Sequence, residues 1–155
     1  MFKPRLQRLK FVFPSRPIYF ITACTHERRG ILAGQEVHRA FTDFAAKAPA
    51  DGVFVGRYVI MPDHFHLFAA FAPDALPLSL WLKSLKNSLS KTLRRTGLPG
   101  VHWQKGFFDH VMRSAESYEL KWLYVQQNPV RAGLVQSASD WPYQGEIHPL
   151  CSGGL

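Results

Sequence analysis

The sequence predicts an α+β domain, an antiparallel sheet in the split βαβ order with one helix added after the last strand. Three observations predict it. Runs rich in β-branched and aromatic residues alternate with stretches of helical periodicity. The link between two central runs is only three residues long. The chain of 155 residues has room for one ordinary core.

Ile18-Tyr19-Phe20-Ile21-Thr22-Ala23-Cys24 reads as the first strand. Gln35 to Lys47 places Val37, Ala40, Phe41 and Phe44 at helical spacing, and Pro49 follows its end. The Asp51-Gly52 turn opens a second strand, Val53 to Ile60. Met61-Pro62-Asp63 links it to a third, His64 to Phe71, so the two should form an antiparallel hairpin. Leu78, Leu82, Leu85, Leu89 and Leu93 give a helix over 79–96 that stops before Gly97. Phe107 to Arg113 is a fourth strand. Ser114 or Ser117 caps a last helix running to about Asn128, where Pro129 ends it. The order strand, helix, strand, strand, helix, strand, helix is ferredoxin-like, the order also found in RRM-like domains, with a helix appended. Two helices should cover one sheet face and leave the other available for a site. Three segments follow: a basic N-terminal stretch (1–16), the domain proper (17–135) and a tail (136–155). The tail is expected to be irregular, packed by Trp141 and Tyr143, with Ser152-Gly153-Gly154 free.

Hydrophobic residues at 46% and charged residues at 19% exclude a disordered, collagen-like or coiled-coil chain. No stretch approaches the roughly 20 apolar residues of a membrane span. The basic start is broken at Pro14, Ser15 and Arg16 and lacks the apolar core of a signal peptide. Two distant cysteines, Cys24 and Cys151, exclude a disulfide framework and fit a reducing compartment. The expectation is a soluble cytoplasmic protein, associated with the nucleoid when acting.

The net charge of +8 is uneven. Lys3, Arg5, Arg8, Lys10 and Arg16 give residues 1–16 a balance of +5 with no acid. Lys83, Lys86, Lys91, Arg94, Arg95 and Lys105 give residues 75–108 a balance of +6, again with no acid. One such run would be an ordinary solvated face; two point to a polyanion partner. Phosphate contacts would supply affinity that falls with salt.

His64-Phe65-His66 is the first chemical signal. On a strand, residues i and i+2 share a face, so both imidazoles project together while Phe65 and Leu67 enter the opposite core. Adjacent imidazoles on an open face suit a divalent cation, though the same spacing serves two solvated histidines. His26, His38, His102 and His148 read as turn or surface residues. Tyr124 and Asn128, four apart, share one helical face. A tyrosine can form a phosphodiester with DNA, but with a pKa near 10 only about one part in a thousand is phenolate at neutral pH. A cation polarising the phosphate would help, and Asn128 could offer a third ligand. The plainer reading makes Tyr124 a packing residue and Asn128 a cap.

Together these pieces resemble a family. Tyr58-Val59-Ile60-Met61-Pro62-Asp63-His64-Phe65-His66-Leu67 resembles the signature of the HUH single-tyrosine transposases, and Trp103 to His110 resembles the strand that follows it. Tyr124-Val125-Gln126-Gln127-Asn128-Pro129-Val130-Arg131-Ala132-Gly133-Leu134-Val135 is similar to the REP-associated tyrosine transposase branch. The resemblance spans roughly residues 10 to 143. It implies an endonuclease and strand transferase acting on single-stranded hairpins from repetitive extragenic palindromes. By that resemblance Tyr124 is the nucleophile, retaining a 5′-phosphotyrosine, and His64, His66 and Asn128 bind Mg²⁺ or Mn²⁺. Asp63 stands where the family commonly has Asn, and Asn128 where relatives often have Gln. The resemblance further suggests that the N-terminal segment reads the hairpin foot, with Arg5, Arg8 and Arg16 suited to guanine edges. Lys83, Lys86, Lys91, Arg94 and Arg95 are assigned to the DNA backbone. Tyr58, Trp103 and Phe107 read first as core residues, with base stacking the alternative. The resemblance allows a monomer or a homodimer. The rival reading is a non-catalytic nucleic-acid module of RRM-like fold, which would need exposed strand aromatics where His64 and His66 stand.

Overall fold

The computed structural model describes residues 17–150. The basic segment holding Lys3, Arg5, Arg8, Lys10 and Arg16, and the end of the chain with Cys151, lie outside the described residues. Five strands form one sheet: β1 (Ile18–Cys24), β2 (Val53–Ile60), β3 (His64–Phe71), β4 (Phe108–Met112) and β5 (Gln144–Glu146). Their spatial order is β4-β1-β3-β2-β5, and every neighbouring pair is antiparallel. The helices are α1 (Gln35–Lys47), α2 (Leu78–Arg95), α3 (Ala115–Gln126) and a single turn, α4 (Asn128–Arg131). The α+β class expected from the element order is the class observed.

The central strands are buried on both faces, which is why they read as nearly continuous apolar runs. On one face Ile21, Ala23, Val55, Phe65 and Leu67 pack against Val37 and Phe41 of α1 and Trp81, Leu85 and Leu89 of α2. On the other, Ile18, Phe20, Phe54, Val59 and Phe68 meet Tyr118, Trp122 and Val125 of α3. The helix added after the last strand thus covers part of the second face, the one expected to stay available for a site. β2 serves both cores by alternation, and its register against β3 shifts between Val55 and Tyr58. The bulge reverses the alternation, sending Tyr58 and Ile60 to the α1/α2 side and Val59 to the α3 side.

Two helix ends show how sequence sets length. Beyond α2, Leu98 N–H bonds Leu93 C=O and Gly97 N–H bonds Arg94 C=O, with Gly97 at φ 99°, a Schellman stop. Ser114 caps α3 in a reciprocal pairing with Ser117. Pro129 does not end helical structure, as expected, but starts α4, because proline at the first turn has no intrahelical N–H to lose. Gly133 (φ 76°) then closes that turn with the same paired bonds, Leu134 N–H to Pro129 C=O and Gly133 N–H to Val130 C=O. The Asn-Pro-Val-Arg-Ala-Gly run is thus one helical turn with a start and a stop.

The tail departs from expectation as well. Residues 144–146 add β5 to the edge of β2 instead of remaining irregular. Trp141 is buried as expected, its indole N–H donating to Ile60 C=O. Leu150 closes over the α3-side core. Three histidines assigned to turns or the surface are also more enclosed than expected. His102 is buried between Ser90 Oγ and Leu98 C=O, His38 is bonded to the Tyr58 hydroxyl at 2.7 Å, and His148 packs on Phe54.

Candidate active site

The hairpin turn Met61–Asp63, closed by Met61 N–H to His64 C=O, starts β3 at His64. Alternation then places Phe65 and Leu67 in the α1/α2 core and both imidazoles on the α3 side. Their ring centroids are 4.7 Å apart. Each Nδ1 is engaged. His64 Nδ1 lies 2.8 Å from Asp63 Oδ1, and His66 Nδ1 lies 2.7 Å from Thr22 Oγ1. With Nδ1–H donating in both bonds, the Nε2 lone pairs remain for another partner. His66 also stacks on Phe20. Burial, with electrostatic opposition from His64, Lys121 and Arg28, pushes its pKa down to about 3, so the ring is neutral at ordinary pH.

Asp63 is itself anchored. Arg28 Nε lies 2.9 Å from its second oxygen, and the same guanidinium reaches Cys24 Sγ at 3.6 Å. Burial pulls the Asp63 carboxyl upward, but hydrogen bonds and charge from Arg28 and His64 outweigh it and hold it below its usual value. The backbone is strained to make this contact. Glu27 and Arg28 sit at φ 55° and 53°, left-handed positions that side chains beyond glycine rarely adopt.

Tyr124 lies on α3 and is 60% exposed. The Lys121 ammonium stands 5.0 Å from the Phe20 ring and 6.0 Å from the Tyr124 ring, so one cation spans from the floor beside His66 to the tyrosine. Above Tyr124, the Arg131 guanidinium sits 4.0 Å from the ring centroid and donates to the Tyr124 carbonyl. Arg131 also donates to Asn128 Oδ1, the oxygen expected to serve as a ligand. Asn128 stands on α4, beyond the break at Gln127, rather than on the same helix as Tyr124.

The two imidazoles fit a divalent cation by donor chemistry: both Nδ1 atoms are held, and His66 is neutral. Among the described residues, no group of three His, Cys, Asp or Glu is placed to hold a metal. A full coordination set would therefore draw on amides, water or substrate.

The basic helix is less simple than its charge suggested. α2 packs on the face away from the imidazoles. Lys83, Lys91, Arg94 and Arg95 are exposed there, and Arg95 reaches Glu36 at 3.5 Å. Lys86 differs from these four: its ammonium donates to Gln104 C=O and Gly106 C=O and lies over Trp103. Of the two readings of Tyr58, Trp103 and Phe107, core packing is the one observed: Tyr58 is buried, Trp103 donates to Lys86 C=O and Ser90 Oγ, and Phe107 packs on the α1/α2 core. Thr22, Arg28, Lys121 and Arg131 were missed by sequence reasoning. Only Arg131, inside the Asn-Pro-Val-Arg-Ala-Gly run, carried a signal that could have found it.

A family model described as "Transposase IS200 like" matches residues 15–128. The chain belongs to that family. Among curated relatives, the REP-associated tyrosine transposase of Escherichia coli (strain K12) is 25% identical over 126 residues, covering 81% of this chain and 73% of that protein. A Haemophilus influenzae protein, provisionally given the same name, is 25% identical over 166 residues, covering 92% and 90%. The fold is similar to that of a REP-associated tyrosine transposase solved bound to a REP hairpin, with a TM-score of 0.67 and 24% identity over 83% of this chain and 75% of that one. A Deinococcus radiodurans protein, provisionally described as a transposase, matches at a TM-score of 0.51 and 18% identity over 72% and 90%. Membership makes the chain a transposase, and among the described residues no helix is long and apolar enough to cross a membrane.

Proposed function

We propose that the chain is a metal-dependent endonuclease and strand transferase of single-stranded DNA, acting on REP-type hairpins through a covalent 5′-phosphotyrosine. The observation that supports the reading is that Lys121 lies between the Tyr124 ring and Phe20, on which His66 stacks, while the Nδ1 atoms of His64 and His66 are held by Asp63 and Thr22. The hairpin is proposed from the relatives, whose names and bound DNA refer to REP elements.

In the cleavage step, Tyr124 Oη attacks phosphorus, the Oη–P bond forms and the P–O3′ bond breaks. The phenolic proton lost equals the proton taken up by the leaving 3′-oxygen, so no cofactor is consumed and the reverse step rejoins a strand. Tyr124 is oriented by Arg131, and Lys121 places positive charge where the phosphate would lie. His64 and His66 would hold Mg²⁺ or Mn²⁺, with imidazole favouring Mn²⁺, and the ion would supply charge stabilisation to the phosphate. Asn128 would join as a third ligand by exchanging Arg131 for the cation. Lys83, Lys91, Arg94 and Arg95 would meet flanking DNA that passes round to the opposite face, and the N-terminal arginines would read the hairpin foot. Cytoplasmic action at the nucleoid follows from such a substrate.

The test is a labelled hairpin with a single-stranded flank, incubated with Mn²⁺ and run on a denaturing gel. A covalent adduct is expected with the parent protein and none with Tyr124→Phe, while His64→Ala should cut its rate at least about a hundredfold. An adduct that survives Tyr124→Phe overturns the nucleophile.

A further inference from the structure

We infer that Phe108, with His110 beside it, is a stacking platform for an unpaired nucleobase next to the cleavage site; this rests on the single-stranded DNA reading above. In the β4–β1 register Phe108 is opposite Thr22 and His110 is opposite Phe20. In the β1–β3 register Thr22 is opposite His66 and Phe20 is opposite Phe68. Directly opposed residues project from the same face. Phe108, Thr22 and His66 therefore form one row, about 10 Å from end to end at ordinary strand spacing.

Phe108 is 68% exposed, the most exposed large hydrophobic side chain among the described residues. Strand alternation explains its neighbours: Phe107 packs on the α1/α2 core and Met112 on the α3-side core. It leaves most of Phe108 in solvent. α3 rises over the other side of the same floor, with Lys121 above Phe20. Phe20, Thr22 and His66 thus lie between a wall carrying Tyr124 and an edge strand carrying Phe108.

The occupant is indicated by charge and by continuity with the site. Arg28 and Lys121 lie near the imidazoles, Arg131 lies on the Tyr124 ring, and Asp63 is already engaged by Arg28 and His64. Lys121 and Arg131 along a floor that ends in an exposed ring suit a phosphodiester chain carrying a base, where an apolar protein surface would leave those two cations without an anion. The approach to β4 is held in place, because Lys86 ties down the carbonyls of Gln104 and Gly106. A phenyl ring has no hydrogen bond to offer, so the contact should tolerate any base and act on the flank rather than on the hairpin sequence.

Binding is measured by anisotropy in a Tyr124→Phe background, so that DNA is held reversibly, using a hairpin with a single-stranded flank and a blunt hairpin. Phe108→Ala should weaken the flanked hairpin about five- to a hundredfold and leave the blunt one within about twofold. Phe108→Trp should retain affinity. Abasic sites scanned along the flank should reveal one position whose loss weakens the Phe108-containing protein and adds nothing in Phe108→Ala. Equal binding of the flanked hairpin by both proteins overturns the platform, as does an abasic penalty undiminished in Phe108→Ala. A dimer that Phe108→Ala converts to monomer also overturns it, marking β4 as an edge for a second copy of the chain. If neither protein binds either hairpin, the DNA reading itself fails.

Discussion

Asp63→Ala is the substitution with the most sharply defined consequence. Asp63 fixes His64 through a 2.8 Å contact between groups whose side chains are 28% and 15% exposed. A hydrogen bond to a charged group in such a setting contributes about 1.5–3 kcal/mol. At tenfold per 1.4 kcal/mol that is about a 10- to 150-fold loss of cation affinity, in line with the 10–100-fold typical of outer-shell partners. Arg28 acts at one remove and its side chain is 53% exposed, so Arg28→Ala should cost about 1 kcal/mol or less. Asp63→Asn keeps an acceptor for His64 but loses the charge, and belongs between the two. The assay is calorimetric titration of Mn²⁺ into metal-free protein, with circular dichroism to confirm an unchanged fold. Parental affinity in Asp63→Ala would refute the clamp. An Arg28→Ala defect larger than that of Asp63→Ala would refute its order.

Four further outcomes follow from the packing and the charges. His66 has a folded pKa of about 3 against 6.5 unfolded, so the unfolded chain binds the extra proton and stability falls as pH drops below about 6.5. The loss should reach about 2 kcal/mol at pH 5, read from urea midpoints of metal-free protein, and His66→Phe should flatten that slope. Asp63 works in a separate window: its lowered pKa gives stability that is present above about pH 4 and lost as pH falls through the folded value. Gly56→Ala would place a Cβ 2.7 Å from Leu150 Cδ1 and 2.9 Å from the Tyr118 hydroxyl, and should cost about 1–3 kcal/mol in thermal or urea melts. Arg131→Ala should slow adduct formation roughly two- to thirtyfold, with little rescue by lysine, which lacks the planar fork; an unchanged rate would show that Tyr124 needs no clamp.

The elements whose signals are local were legible in the sequence. β3 begins at His64 and ends at Phe71 as read, because a three-residue link and strict alternation leave little freedom of register. Gly97 and Ser114 marked helix ends through backbone chemistry that any context would keep. What escaped was long-range. β5 exists because the tail finds the free edge of β2, and nothing within Gln144–Glu146 announces that partner. The bulge in β2 decides which of its later residues, Tyr58 and Ile60 or Val59, enters which core. At the site, the histidine pair and Tyr124 were readable as residue types, and Asp63 stood out by its place before His64. Arg28, far away in sequence, acts only because a strained turn aims it at Asp63. Phe107 and Phe108 are adjacent and chemically identical, and only strand register decides which of them faces solvent.

The central claim is that the tyrosine of α3 becomes covalently joined to DNA at the face carrying the imidazole pair. Protease digestion of the trapped adduct, followed by mass spectrometry, addresses it directly. Nucleotide mass on the peptide containing Tyr124, formed only when divalent cation is present and absent from the His66→Ala protein, is the predicted result. Nucleotide mass on Tyr19 or Tyr143, or on Tyr124 at an undiminished rate after His66→Ala, would contradict the account.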